Sequence, residues 1–207
     1  PVELGAHEIV LADLDFLGKM TDGRAVGVLG GNLLAVLPFT LDYRARTLTL
    51  HHPAHFTPPA GARCDDLEFH NNIPSIGARL AGKHDVSLMF DTGASDLYIG
   101  LPFIRKHPGL VAGKARDSSL SLSPGGQSES VSVGSAGLRV FGHDANEVGL
   151  EFGQACGISG RKDAGILGAG VLQTLRLTLD YRRGKCWAEP NPLESIRELL
   201  GRKGDVN

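Results

Sequence analysis

What this 207-residue chain lacks narrows it first. No apolar run approaches the roughly 18 residues needed to span a bilayer, so no helical membrane span is expected. Neither sign of charge is in excess: 21 Lys and Arg stand against 23 Asp and Glu, a net charge of -2. Nucleic acids and anionic membrane surfaces are bound by basic faces, so neither is expected as a partner. Cysteine is scarce and odd in number (Cys64, Cys156 and Cys186), with no CxxC spacing. A Cys156–Cys186 disulfide and buried free thiols fit about equally, which leaves the compartment open, export being slightly favoured. The chain opens on Pro1, with neither an initiator Met nor a signal-peptide pattern, and is expected to be a processed or truncated piece of something longer.

Aromatic residues are also few, at 6%, while Gly is abundant at 28 residues. That balance suits a β-rich fold with many tight turns, because Gly supplies the positive φ angles such turns need. The 42% hydrophobic content is enough for a sizeable core in one large domain or two small ones.

The most informative stretch is Val86-Ser87-Leu88-Met89-Phe90-Asp91-Thr92-Gly93-Ala94-Ser95-Asp96-Leu97-Tyr98-Ile99. An apolar strand runs into a carboxylate, a hydroxyl and a glycine, then back into a strand. An acid placed there sits at the mouth of a buried sheet, where desolvation makes its protonation adjustable. The bland alternative is a turn Asp closing a strand end.

A second feature decides between them. Gly165-Ile166-Leu167-Gly168, Leu172, Leu175 and Thr178-Leu179-Asp180-Tyr181-Arg182 match Gly27, Leu29, Gly30, Leu34, Leu37 and Thr40-Leu41-Asp42-Tyr43-Arg44, without gaps, at one constant offset of 138 residues. A match of that length predicts two copies of one structural unit. Asp42 and Asp180 fall inside strands ahead of Arg-containing turns and are expected to be structural. The glycines of both copies brush against dinucleotide fingerprints, but lack the βαβ unit and terminal acid that chemistry needs.

Asp-Thr-Gly-Ala-Ser after an apolar strand resembles the active-site loop of the aspartic peptidases, closest to their retropepsin-like branch. That family is built from two similar lobes, each giving one Asp to a shared site. The resemblance covers about residues 20 to 50 and 72 to 190. It implies an all-β, bilobal pepsin- or retropepsin-like fold with short helices and an incomplete first lobe. Residues 1–57 would form the rear half of lobe one, with short strands at Glu8–Ala12 and Leu14–Leu17 and a Gly-bounded strand at Gly27-Val28-Leu29 feeding a short helix. Residues 58–71 would be a linker, overlapping the shift to a His-, Pro- and Gly-rich composition from His51 to Asp66; 72–190 would be lobe two, and 191–207 a C-terminal helix and tail. Shifted by the repeat offset, Asp91 has its partner about 47 positions upstream of Pro1, and no second Asp-Thr-Gly occurs in the chain. An upstream segment or a second chain would therefore supply the other acid.

In the mechanism this implies, two close carboxylates share one proton. The ionised member takes a proton from a water as it attacks the scissile carbonyl of a peptide or protein substrate. Asp91 is the candidate catalytic residue, with Thr92, Gly93, Ala94 and Ser95 supporting its loop. Ala94 lacks the hydroxyl that could hydrogen-bond the carboxylate, so a less acidic optimum is expected than with Ser. Residues 118–133 read as two alternating strands about a Pro-Gly-Gly turn, placed in the order where the family has its flap; Pro124, Gly125, Gly126 and Gln127 are the candidate substrate-binding tip. No cofactor and no metal are expected; His51, His52 and His55 lie in the linker-like stretch without a second ligand cluster. Two alternatives stand beside the two-lobe enzyme: a homodimer pairing Asp91 with its own copy, and a non-catalytic module binding peptides in the same groove.

Overall fold

The computed structural model describes residues 17–18, 21–25, 27–123, 126–153 and 163–191. The expected strands of the first 20 residues, Cys156, and the expected C-terminal helix fall wholly or almost wholly outside that set.

The described chain is mostly β. A five-stranded antiparallel sheet has the order β2 (Thr47–Leu50), β1 (Phe39–Asp42), β12 (Leu175–Asp180), β13 (Lys185–Pro190), β3 (Arg63–Asp66). The other eight strands form a second sheet. Its order is β4 (Glu68–His70), β5 (Ile73–Leu80), β6 (His84–Phe90), β11 (Gly165–Leu167), β7 (Leu97–Gly100), β10 (His143–Gly153), β9 (Gly126–Val140), β8 (Asp117–Ser123). The second sheet closes on itself, because Ala78, Arg79 and Leu80 of β5 also pair with Val140, Arg139 and Leu138 of β9. The six strands from β5 round to β9 thus form a barrel, which removes the edges an open sheet would expose. Two pairings inside it are parallel, β11 with β6 and β7 with β10.

Leu80, Leu88, Leu97, Ile99, Leu150 and Leu167 fill the barrel and are fully buried. β11 is apolar at every position because it threads between β6 and β7. The barrel core continues into the five-stranded sheet through Phe39, Leu177, Leu179, Cys186 and Ala188, so one hydrophobic cluster spans both layers.

Residues 58–71 were expected as a linker, yet they carry two short strands. Composition misleads here because β3 and β4 are edge strands with mostly exposed side chains, held by backbone ladders to β13 and β5 rather than by apolar burial. A strand was also expected at Gly27-Val28-Leu29, and these residues pair with nothing in a ladder. The same sequence in the second copy becomes a strand only because β6 and β7 flank it.

The repeat is visible in the coordinates. The helix Gly31–Leu34 is matched by Ala169–Leu172, and each is closed by the same pair of backbone bonds at its C-cap, Ala35 and Gln173. In each copy the strand Asp closes the turn after it: Asp42 Oδ1 accepts from the Ala45 amide at 2.9 Å and Asp180 Oδ1 from the Arg183 amide at 3.2 Å. The two copies meet where β1 and β12 pair with Thr40 directly opposite Thr178. Their hydroxyls are 2.8 Å apart across the 138-residue offset, both buried. A local two-fold axis therefore passes between these two threonines.

Two expectations for stability follow. Thr178→Val removes one partner from a buried hydroxyl pair and lowers stability by about 1–2 kcal/mol in a denaturant titration; adding Thr40→Val costs less than the sum of the single changes, because the orphaned group is then gone. Separately, the ring of His84 stacks on His107 at 4.3 Å, with Phe103 against both. Burial, then the charges of His107 and Lys83, hold His84 below its ordinary pKa of 6.5. The folded state thus binds fewer protons here than the unfolded chain. The contribution is present above pH 6.5 and is lost as pH falls below it. The melting temperature should drop between neutral and mildly acid pH, and drop less in His84→Gln.

Candidate functional site

Asp91 follows the last residue of β6. Phe90 pairs with Leu167 in the parallel ladder, and the Asp91 amide donates to the Leu167 carbonyl at 3.1 Å, so the acid stands at the open end of β11. The loop then folds on its own carboxylate: the Gly93 amide donates to Asp91 Oδ1 at 2.8 Å. Asp91 and Ala94 are half-buried, whereas Thr92, Gly93 and Ser95 are exposed.

The unit that follows β11 supports this loop. The helix Ala169–Leu172 leaves its first amides without intrahelical partners. The loop supplies them: the Ala169 amide donates to the Ala94 carbonyl at 2.7 Å and the Gly170 amide to the Ser95 carbonyl at 2.6 Å. Contact this close explains the glycines. A Cβ at Gly168 would fall 2.7 Å from the Ala94 carbonyl oxygen, and one at Gly170 would fall 2.6 Å from Asp96 Oδ1. The five expected loop residues, Asp91 to Ser95, are therefore brought together and braced from below by the second repeat copy.

β8 and β9 form the hairpin expected around the Pro-Gly-Gly turn, with Ser123 opposite Gly126 and Leu122 opposite Gln127. Of its expected tip, Gly126 and Gln127 lie in this ladder, and Pro124 and Gly125 lie outside the described residues.

Tyr43 was not anticipated. It belongs to the first copy, yet burial and then the charge of Asp91 hold its phenol above its ordinary pKa of 10.0. Its signal in the sequence was the repeat itself, which pairs it with Tyr181.

The first copy has the same supporting unit, and among the described residues no acid loop is seated on it. Val28 is 70% exposed where its repeat mate Ile166 is 9% exposed, and Leu48 is 42% exposed where its mate Cys186 is fully buried. Leu29 and Leu50 are likewise exposed, while their mates Leu167 and Ala188 are buried. A Cβ at Gly27 would meet no atom within 4 Å, whereas at its mate Gly165 it would run into the backbone of Tyr98. All four residues of β2 are exposed, and among the described residues no strand pairs with its outer edge, where the mate strand β13 is covered by β3.

No protein-family model and no curated protein matches this chain.

The bracing predicts that Gly168→Ala displaces the Asp91 loop and destabilises the fold by about 1–3 kcal/mol, measurable as a lowered unfolding midpoint. Gly30→Ala, its mate, meets only the movable end of the Asn32 side chain and should leave the midpoint within about 1 kcal/mol.

Proposed function

We propose that this chain is the larger part of an aspartic peptidase, hydrolysing peptide bonds with water activated by a pair of carboxylates of which Asp91 is one. The observation that carries the reading is the duplicated support: one copy holds an acid loop, and the other leaves Val28, Leu29, Leu48 and Leu50 exposed, with no acid loop on it among the described residues. A local two-fold between Thr40 and Thr178 relates the two supports. A second acid loop seated on Gly27–Leu34 would be related to Asp91 by that axis.

The proposed partner is a segment upstream of Pro1 folded as a barrel short of one strand. Gly27-Val28-Leu29 would enter it as Gly165–Leu167 enters the present barrel. A second copy of this chain fits less well, because the corresponding slot in its barrel is already filled by its own β11. This favours a two-barrel enzyme over the homodimer.

In the completed site, like charges at close range leave one proton shared between the two acids. The ionised carboxylate takes a proton from the intervening water as its oxygen attacks the peptide carbonyl. The protonated one donates to the developing oxyanion, and the two resulting hydroxyls mark the tetrahedral intermediate. An extended peptide is the proposed ligand, held between the barrels beneath the β8–β9 hairpin.

Asp91→Asn keeps an oxygen for the Gly93 amide but cannot act as the base. In the assembled two-barrel protein it should reduce peptide hydrolysis by about 10²–10⁴-fold without changing the unfolding midpoint. Undiminished turnover in that variant sinks the reading. Tight peptide binding with no turnover by the wild type would favour the silent binding module instead.

A further inference from the structure

Tyr43 follows directly after β1. Because β1 runs antiparallel to β12 with Asp42 opposite Arg176, the chain emerges from β1 at the N-terminal end of β12, level with Leu175. That is the end fed by the helix Ala169–Leu172, whose first amides are bonded to Ala94 and Ser95. The first-repeat tyrosine and the second-repeat carboxylate are thus carried on two sides of one support. Tyr43 is half-buried and packs against the shared core.

The phenol is also within electrostatic reach of Asp91, whose charge adds to the effect of burial in opposing its ionisation. It therefore remains a neutral O–H donor throughout the pH range in which carboxyl groups titrate. Its repeat mate Tyr181 is locked between the rings of Phe39 at 5.4 Å and Phe69 at 5.3 Å. The axis through Thr40 and Thr178 gives Tyr181 the same relation to the surface above Gly27–Leu34 that Tyr43 has to Asp91.

We infer that Tyr43 is a positioning residue of the Asp91 site, supplied across the two-fold by the opposite repeat, whose hydroxyl orients the water or substrate oxygen lying beside the Asp91 carboxylate. The inference rests on the peptidase reading and deepens it. Each acid is attended by the tyrosine of the other copy, so neither half of the protein completes its own site.

Ultraviolet titration of the phenols in this chain tests the electrostatic coupling of Tyr43 to Asp91 without any assay of activity. Tyr43→Phe identifies the Tyr43 step by its disappearance. In Asp91→Asn that step should move to lower pH, while that of Tyr181, whose shift owes nothing to Asp91, stays in place. If Tyr43→Phe fails to fold, Tyr98→Phe and Tyr181→Phe assign the remaining step to Tyr43 by elimination, and the Asp91→Asn arm still decides the matter. In the assembled protein, Tyr43→Phe should lower kcat about tenfold, the worth of one hydrogen bond to a charged centre, with KM nearly unchanged. An unmoved Tyr43 step in Asp91→Asn overturns the inference, as does an unchanged kcat in Tyr43→Phe. A moved step together with no hydrolysis by the wild-type assembly overturns the peptidase reading, and the catalytic part of this role with it, while the coupling of Tyr43 to Asp91 stands.

Discussion

The pairing of β1 with β12 is the constraint on which the rest of the structure depends. It joins segments 138 residues apart, places Thr40 against Thr178, and makes the two copies symmetric about that contact. The backbone that braces the acid loop is attached to one side of it: β12 leads back through a four-residue helix to β11, whose Leu167 carbonyl accepts the Asp91 amide. The exposed apolar side chains Val28, Leu29, Leu48 and Leu50, whose repeat mates are buried, are attached to the other side. The buried hydroxyl pair is a polar contact extended on Thr40 by a further hydrogen bond between its hydroxyl and His51 Nε2 at 2.8 Å. A polar pair satisfied only in one alignment disfavours a shift of register, since a slipped ladder would leave both hydroxyls buried without partners.

Much of this architecture is legible in the chain because its signals are local. The glycines of Gly165-Ile166-Leu167-Gly168 mark where backbone meets backbone, and Thr-Leu-Asp-Tyr-Arg marks a strand whose Asp closes the next turn. Both patterns recur at a constant offset, so a repeat is evident before any coordinate is known. The hairpin at residues 118–133 is legible for the same reason. What escapes is set by partners far away in sequence. Arg63–Asp66 is polar and looks like linker, but it is a strand because β13 offers it a free edge. Gly27-Val28-Leu29 has the composition of a strand and forms none, because ladder bonds need neighbours that the described residues do not place beside it. Closure of the barrel through β5 and β9 leaves no trace in periodicity. Neither does Tyr43, whose relation to Asp91 arises only when the two repeats pack.

The comparison between copies therefore works as an internal control. Two segments of nearly the same sequence sit in different surroundings, and each difference in burial reports the surroundings rather than the residues. Val28 and Ile166 are both β-branched and apolar, and only one of them is covered. Burial of such side chains stabilises by about 1.5–3 kcal/mol each, so an exposed set of four represents a substantial unused driving force for association. A barrel with one vacant strand position would satisfy both the apolar surface and the unpaired backbone. Such association would also bring a second loop to the place related by symmetry to Asp91, which links the folding problem to the chemistry.

The most direct measurement is a structure of this chain together with the proposed upstream segment at mildly acid pH. The account predicts Gly27-Val28-Leu29 threaded between two strands of a second barrel, and a second carboxylate about 3 Å from that of Asp91. A Gly27–Leu29 segment that remains unpaired, or an Asp91 with no carboxylate neighbour, would contradict it.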